Sequence, residues 1–384
     1  MRFVVTNESE HNVFYSAPTM AELRKADEEL VAICRERLKE YCGNHKMASV
    51  RLENELHTMA QAHHSLQYLI LKEVADCSRE LGYPVLMREN ETLIAYLLGL
   101  SYVNPLPVYY RCESCDWYGS YSEMTDQRIC GFDMPDKYCP KCGKLLSKCG
   151  FPPHHSLIIA QDPEMCIAPS VRPHLAERLN KAFGSVDSAH NAYKCLSVPD
   201  ADICEEVGNL RQRSSVKSFK PLFSESIYHK ALQRVERDSP SASQKNIAKE
   251  LSYAPINSFY LLLRAYGYVL NDVSGGKPTQ QVLDVHYCTL QDEVENMLVF
   301  KGLPEKAALR FCKGLSTEKD KKDYAELKSQ YHLQEDEYLT AFEHTGHYCS
   351  SCAGANFLYL ACEAESIKAI ANMLFSKCFN DLWF

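Results

Sequence analysis

Two pairs of cysteines have the spacing of a metal site. Cys112 and Cys115 form one CxxC pair, Cys139 and Cys142 form a second, and 23 residues separate the pairs. Two tight turns that each carry two thiolates supply the tetrahedral sulfur ligands of a structural zinc ion. Because such a site is closed and leaves no position for water, the spacing predicts structural rather than catalytic zinc.

Other cysteines and histidines nearby are alternative ligands. Cys130 lies between the two pairs, while Cys149, His154 and His155 follow them. None of these residues has a CxxC partner, so the four paired cysteines are the preferred set.

A second cluster of metal-ligating residue types lies near the end of the chain. It consists of His344, His347, Cys349 and Cys352. Its compact spacing leaves a second metal site open, although a histidine-rich loop that enters a helix explains the same pattern.

Composition restricts the function classes. The chain has 384 residues, 46% of them apolar, and a net charge of −8 from 42 basic and 50 acidic residues. Phosphate contacts dominate the affinity of nucleic-acid binders, which therefore usually carry a basic excess. Binding to bare DNA through overall charge is not favoured, but a local basic patch stays open.

The 18 cysteines raise the question of the cellular compartment. The sequence MRFVVTNESE has only a short apolar run and does not resemble a signal peptide. No stretch approaches the ~18 uninterrupted apolar residues of a membrane span. These features predict a cytosolic protein with reduced thiols and no membrane contact.

Apolar periodicity predicts a mainly helical α+β protein. A helix is expected over 19–42, with a capping box at Thr19 and Glu22 and a stop at Gly43. Two helices are expected over 48–81, and a polar stretch at 208–226 is interpreted as a linker or loop. Further elements are predicted as strands at 84–87 and 157–159, a helix from Pro173 to about Gly184, and helices throughout 226–384.

Two sequence strings carry a family resemblance. NPLPVYYRCESC at 104–115 and GFDMPDKYCPKCG at 131–143 resemble the zinc region of the PolC-type DNA polymerase III alpha subunit of Gram-positive bacteria. The second string joins a Gly-Phe-Asp turn, Pro-Asp-Lys and a CPxCG pair in order. The resemblance continues in pieces over most of the chain, at 14–43, 51–85, 172–184 and 289–311.

The resemblance implies a reduced polymerase core. It implies a helical palm-like segment at 1–103, a zinc knuckle at 104–150, a palm-like α/β remnant with a linker at 151–225, and a helical fingers-like lobe at 226–384. The fold class predicted for the chain is therefore α+β and mainly helical, with a small mixed palm-like portion.

The resemblance also indicates where a polymerase would bind Mg²⁺ and nucleotide. Counting back from the helix at 172–184 places the family's paired aspartates at Asp162 and Glu164, and Asp200 with Asp202 is a competing pair. Two-metal chemistry requires such carboxylates. Because Pro163 removes a ladder donor, it disturbs a strand that would carry the first pair.

Two nucleotide-binding features of the family are altered. Its Gly-Ser-rich triphosphate cradle matches LMRENETLIAYLLG at 86–99, where only Arg88 is kept. The Lys, His and Tyr of its fingers match Ser351, Ala353 and Phe357.

These losses predict a catalytically degenerate relative of the polymerase core, with no catalytic residue assigned. The predicted role is binding or regulation in DNA replication, with a protein of the replication machinery as partner and zinc as cofactor. An active minimal polymerase that uses Asp162, Glu164 and Mg²⁺ is one alternative. A zinc-stabilised structural interaction module is another.

Overall fold

A computed structural model describes most of the chain. The described residues are 3–5, 12–43, 45–89, 92–120, 129–151, 162–184, 193–214, 220–272, 276–284, 287–304, 307–308, 322, 325–326, 328–330 and 351–380. The chain divides into two compact units. The first comprises residues 1–152, 157–222 and 359–384, and the second comprises 153–156 and 223–358.

The first unit combines helices with short strands. Its helices are α1 (Met20–Cys42), α2 (Lys46–Ala62), α3 (Ser65–Glu80), α4 (Leu93–Leu97), α5 (Arg172–Phe183) and α6 (Asp202–Arg213). Its strands are β1 (Phe3–Val5), β2 (Asn12–Ser16), β3 (Leu86–Glu89), β4 (Tyr109–Arg111), β5 (Tyr118–Ser120), β6 (Ser147–Cys149), β7 (Glu164–Cys166) and β8 (Tyr193–Ser197).

Helix α1 begins at a complete capping box. The Thr19 hydroxyl accepts a hydrogen bond from the N–H of Glu22 at 3.2 Å, and the Glu22 carboxylate accepts one from the N–H of Thr19 at 2.7 Å. The helix ends at Gly43, which has a positive φ of 58°. The predicted helix and both of its boundaries are therefore confirmed.

Helix α3 lies in the core of the first unit. Residues 65–71 are all buried, so nearly the whole circumference of its first turns is covered. It contacts both α1 and α5. The prediction of two helices over 48–81 is confirmed by α2 and α3.

The strands of the first unit form three small sheets. Their orders are β1-β2-β8, β3-β7 and β5-β4-β6, and all their pairings are antiparallel. A single parallel bridge between Ile167 and Asp200 extends the region next to β7. Mainly helical structure with small sheets agrees with the predicted α+β class.

The second unit is helical in its described residues. Its helices are α7 (Glu225–Asp238), α8 (Ala242–Leu251), α9 (Phe259–Asn271), α10 (Pro278–Leu283) and α11 (Gln291–Phe300). Arg264 of α9 is 2% exposed and pairs with Glu293. Its guanidinium also donates to the carbonyl oxygens of Val282, Asp284 and Tyr287. This arginine therefore fixes the connection between α10 and α11.

The last described helix, α12 (Ser351–Asn380), contributes to the first unit from Tyr359 onward. The Tyr359 ring stacks on Tyr102 with 4.6 Å between the centroids and 5° between the planes. Arg211 of α6 donates two hydrogen bonds to the Glu363 carboxylate, at 2.6 and 2.9 Å. The division at residues 103, 150 and 225 stays a prediction.

Of two further predictions, one is wrong in part and the other cannot be compared with the described residues. The linker predicted over 208–226 is wrong for residues 208–213, because α6 continues to Arg213. The strand predicted at 157–159 lies outside the described residues. None of the helices in the described part of the chain has the length and apolarity of a bilayer-spanning segment.

Candidate metal centre

The first cysteine pair lies in the turn between β4 and β5. The N–H of Cys112 donates to the carbonyl oxygen of Trp117 at 2.7 Å and closes the turn. Asp116, which directly follows Cys115, has a left-handed φ of 51°. The turn therefore directs both thiols toward one point.

The second pair forms a similar turn. The N–H of Cys139 donates to the Lys144 carbonyl at 2.7 Å, and the N–H of Gly143 donates back to the Cys139 carbonyl at 2.8 Å. Gly143 has a φ of 70°. The N–H of Lys141 points to the Cys139 sulfur at 3.4 Å, a contact that stabilises a thiolate.

The two turns bring all four thiols together. Their sulfur atoms lie within 4.8 Å of one another, with Cys112 and Cys142 at 3.4 Å and Cys115 and Cys139 at 3.5 Å. A disulfide requires a sulfur separation of about 2 Å. Four sulfurs at about 2.3 Å from a tetrahedral zinc lie about 3.8 Å apart. The geometry thus excludes disulfides in this arrangement and fits a bound metal ion.

The thiols of Cys112 and Cys115 ionise with different ease. Desolvation opposes the ionisation of Cys112, but hydrogen bonds from the backbone N–H of Ser114 and from neighbouring thiols lower its pKa to about 6. For Cys115, the Trp117 N–H favours the thiolate, yet desolvation and the surrounding sulfurs prevail and raise its pKa to about 12. A divalent cation bound by these sulfurs would compensate the negative charge of several thiolates.

The metal centre is also part of a small apolar core. Cys112 and Cys139 are buried against Tyr110, Met134 and Leu146. A metal that joins the two turns would hold this core closed. The other two cysteines, Cys115 and Cys142, are exposed, so the metal site lies at the edge of this core.

The alternative ligands do not join this group. Cys130 is buried and donates from its thiol to the Asp133 carboxylate at 3.0 Å. Cys149 lies in β6, opposite Tyr109. His154 and His155 lie outside the described residues, as do His344, His347 and Cys349 of the second cluster.

The acidic residues that a polymerase would require have other partners. Asp162 precedes β7, its side chain is 70% exposed, and it accepts a hydrogen bond from Gln67 at 2.8 Å. Glu164 opens β7 and is bound by Arg88 at 3.2 Å and by the Ser197 hydroxyl at 2.9 Å. Sequence reasoning missed Ser197, because nothing local to Glu164 indicates a partner 33 residues away.

The two acids of the competing pair also lie in different surroundings. Asp200 accepts hydrogen bonds from the buried Arg172, whose Nε lies 2.9 Å from the carboxylate. Asp202 begins α6 on the surface. Across the described residues, the four cysteines are the one group of three or more Cys, His, Asp or Glu ligands that converge on a point.

The stretch that matches the triphosphate cradle begins a short helix. The N–H groups of Leu93 and Ile94 at the start of α4 both donate to the carboxylate of Glu55 at 3.0 Å. Glu55 is fully buried, and Arg51 binds the same carboxylate at 2.9 Å. These two N–H groups, which could otherwise face an anion, are satisfied from within the protein.

The residues that match the fingers lie in α12. Phe357 stacks on Tyr266 with 5.2 Å between the ring centroids and 16° between the planes. Ala353 is half-buried. The side chains of Ser351 and Cys352 lie outside what the structure describes.

About a third of the chain is similar in sequence to PolC-type DNA polymerase III proteins. This chain is 38% identical to the DNA polymerase III PolC-type of Caldanaerobacter subterraneus subsp. tengcongensis over 132 residues, which is 33% of this chain and 9% of that protein. The corresponding protein of Lactococcus lactis subsp. lactis is 35% identical over 129 residues, 33% of this chain and 8% of that protein. That of Thermotoga petrophila is 35% identical over 132 residues, 33% of this chain and 10% of that protein.

The extent of these matches limits what they show. Each matched segment covers a tenth or less of the relative. No protein-family profile matches the chain. The similarity and the four-cysteine site together show that this chain contains a PolC-like region.

Proposed function

We propose that this chain is a catalytically inactive, PolC-like binding protein connected with DNA replication, and that its four cysteines hold one structural zinc ion. The similarity to PolC-type polymerases supports the connection with replication. The partner proposed is a protein of the replication machinery, because the net charge of −8 does not favour binding to bare DNA through overall charge.

The proposal that the chain is catalytically inactive rests on the partners of its carboxylates. Two-metal catalysis uses carboxylates that converge on two cations about 4 Å apart. Here Glu164 is paired with Arg88 and Asp200 with Arg172. An arginine already supplies the positive charge that a metal would supply, and Asp162 lies outside the strand.

The surroundings of these acids support the same proposal. The first N–H groups of α4 are bound by Glu55, and the bulky side chains of Met87 and Leu93 are buried in the same stretch. Phe357 packs against Tyr266 rather than standing free. A triphosphate would find neither small residues nor the fingers' lysine and histidine.

Zinc is the proposed metal because of the donor set. Four cysteine sulfurs in a tetrahedral arrangement favour zinc over magnesium or calcium, which prefer oxygen ligands. The site has no open position, so zinc would act by closing the small core around Tyr110 and Leu146.

A primer-extension assay tests the inactive assignment. The purified chain is incubated with primed DNA, the four deoxynucleotides and Mg²⁺ or Mn²⁺, next to a PolC-type polymerase as positive control. We expect no extension and no thermal stabilisation by nucleotide with Mg²⁺. Extension by the wild-type chain that disappears in Asp162→Ala or Glu164→Ala would establish the active alternative instead.

Affinity purification tests the connection with replication. A tagged chain is used as bait in an extract of its own host, with a zinc-free Cys139→Ser variant beside it. We expect replication proteins to be retained by the wild-type chain in nuclease-treated extract. Retention of proteins from unrelated processes alone would favour the structural interaction module.

A further inference from the structure

The second cysteine turn carries an exposed basic and aromatic strip, which we call the knuckle edge. It consists of Tyr138, Lys141, Lys144 and Leu145. Tyr138 and Leu145 face each other across an antiparallel bridge and are 71% and 55% exposed. Lys141 and Lys144 are exposed in the turn between them. An aromatic ring, a leucine and two cations therefore share one small surface.

The side chains of the knuckle edge are not engaged elsewhere. Among the described residues, Lys141 and Lys144 form no ion pair and the Tyr138 hydroxyl forms no hydrogen bond. Two neighbouring lysines differ. Lys148 binds Asp136 at 2.9 Å, and the Lys137 ammonium lies 5.2 Å from the centre of the Tyr110 ring. Of these four described lysines, the two without such a contact therefore lie at the tip of the turn.

The backbone beneath the knuckle edge is well held. The N–H of Leu146 donates to the Lys137 carbonyl at 2.9 Å, and the Cys139 N–H donates to the Lys144 carbonyl at 2.7 Å. No atom lies within 4 Å of where a side chain on Gly143 would begin, so the turn is open to an approaching ligand. The edge is presented in a fixed shape, which reduces the entropy lost on binding.

We propose that the knuckle edge is a docking surface for single-stranded DNA. Single-strand binders combine aromatic rings that stack on bases with cations that follow the phosphates. Tyr138 supplies the ring, Leu145 adds apolar contact, and Lys141 and Lys144 supply the cations. The stacked bases of a duplex would not reach the ring. The choice of DNA over RNA rests on the proposed connection with replication. The assignment of a single-stranded nucleic acid rests on the chemistry of the surface and does not depend on that connection.

A purely structural role in the metal site would account for the two lysines of the knuckle edge but not for its tyrosine and leucine. Lysines near four thiolates balance their negative charge, and this would explain Lys141 and Lys144. It does not explain why a tyrosine and a leucine are left exposed at the two paired positions of an antiparallel bridge. An apolar pair that projects beside free cations indicates a ligand with both flat faces and negative charge.

The net charge of −8 predicts weak and salt-sensitive binding. Two lysines displace counterions from about two phosphates, which gives a slope of about −1.4 for the logarithm of affinity against the logarithm of salt concentration on a single strand. A long basic groove would give a much steeper slope.

Fluorescence anisotropy with a labelled oligothymidylate tests the proposal on the zinc-loaded full chain. Tyr138→Ala is expected to weaken binding about five-fold or more, the range of a lost base stack. Lys141→Glu with Lys144→Glu is expected to abolish measurable binding even at low salt, because both phosphate contacts are lost and two like charges replace them. The zinc content and the melting temperature of each variant show whether it is folded.

Matched controls come from the second unit. Tyr253 is 77% exposed, and Lys245 and Lys249 are exposed nearby in α8. Tyr253→Ala and the pair Lys245→Glu, Lys249→Glu change the same residue types and the same net charge. These variants are expected to retain the wild-type affinity within about two-fold, because they leave the stacking ring and its phosphate contacts intact.

Four results would overturn the proposal. They are an absence of binding to oligothymidylate at low salt, equal losses in the control variants, equal affinity for a duplex, and a clear preference for oligouridylate. A protein ligand is the remaining occupant to be excluded by lysine acetylation footprinting. If a nuclease-treated extract protects Lys141 and Lys144 and oligothymidylate does not, the edge is a protein interface. Primer extension is scored separately, so an active polymerase would refute the proposed function without deciding this point.

Discussion

Asp116 and Gly143 occupy the same position in the two cysteine turns. Each directly follows the second cysteine of its pair, and their φ angles are 51° and 70°. A left-handed residue at this point reverses the chain so that the preceding thiols face inward. Glycine adopts this conformation without a steric cost, while aspartate is one of the few other residues that tolerate it.

Gly143→Ala is expected to destabilise the second turn. A left-handed conformation costs a residue with a Cβ roughly 1 kcal/mol relative to glycine. The added Cβ would meet no atom within 4 Å, so this cost is conformational and not steric. Zinc affinity, measured by competition with a chromophoric chelator, should fall about five-fold.

Gly184→Ala is the matched control for this change. Gly184 ends α5 with a φ of 74° and also has no atom within 4 Å of a new Cβ. The melting temperature should fall in both variants, but zinc affinity should fall only in Gly143→Ala. An equal loss of zinc affinity in both would show that the turn geometry does not control metal binding.

Replacement of a cysteine ligand is expected to remove the metal. Cys139→Ser exchanges a soft, buried sulfur for a poorer ligand and should lower the zinc content, determined by mass spectrometry, from one ion per chain to near zero. The apolar core around Cys139 would open, so light scattering should show aggregation. Cys130→Ser, which keeps a donor to Asp133, should retain zinc. Wild-type protein purified without chelator that contains no zinc would refute the site.

Protonation of His45 is expected to weaken the start of α2. The Nδ1 atom of His45 accepts the N–H of Ala48 at 3.2 Å, which only a neutral imidazole can do. Burial lowers the pKa of His45 below its usual 6.5. The unfolded chain therefore binds the proton more tightly, and this contribution to stability is complete above about pH 6.5 and is lost as the pH falls through the lower folded-state pKa. Urea unfolding between about pH 7 and pH 5 measures the loss.

His45→Asn should remove this pH dependence and keep the helix cap, because asparagine caps helices without titrating in this range. His57 lies exposed on the same helix, so His57→Asn should leave the wild-type profile unchanged. If His45→Asn retains the wild-type slope, another group is responsible for it.

The buried pair of Arg211 and Glu363 is expected to matter more than a similar pair on the surface. Burial raises the pKa of Glu363 although Arg211 opposes the shift. Glu363→Leu leaves an unpaired arginine in the core and should lower the free energy of unfolding by about 3–5 kcal/mol. Arg211→Met combined with Glu363→Leu should recover most of this loss, since neither charge is then buried alone.

The surface pair of Arg35 and Glu53 provides the comparison. It has the same bidentate geometry, with Nε–O and Nη2–O distances of 3.0 and 2.9 Å, but both side chains are more than half exposed. Glu53→Leu should shift the urea midpoint far less than Glu363→Leu. Equal shifts would mean that burial does not set the strength of the α6–α12 contact.

Local signals predicted the elements that depend on local chemistry. The capping box of Thr19 and Glu22 and the stop at Gly43 located α1, and CxxC spacing located the cysteine turns. Helix α6 was not predicted, because its buried positions end at Gly208, after which residues 209–211 are half-buried and Gln212 and Arg213 are exposed. Its last turn includes Arg211, which binds Glu363, and no local pattern contains that contact.

For the acidic residues too, the sequence predicted local features but not contacts between distant segments. Pro163 correctly indicated a disturbed strand, since β7 begins at Glu164 and leaves Asp162 outside. The partners of the acids were not predictable, because Arg88, Arg172 and Ser197 come from three distant segments. The capping of α4 by Glu55 likewise joins residues 38 positions apart.

Arg111 connects the cysteine turns of the metal centre to the end of helix α1. Its guanidinium donates to the carbonyl oxygens of Glu40 and Lys39 at the end of α1 and pairs with Asp116 at 3.3 Å. The neighbouring residue Cys112 belongs to the metal site. The last turn of α1 and the cysteine turns therefore form one cooperative unit, in which amide hydrogens near Tyr41 should exchange with solvent at a rate set by the occupancy of the metal site.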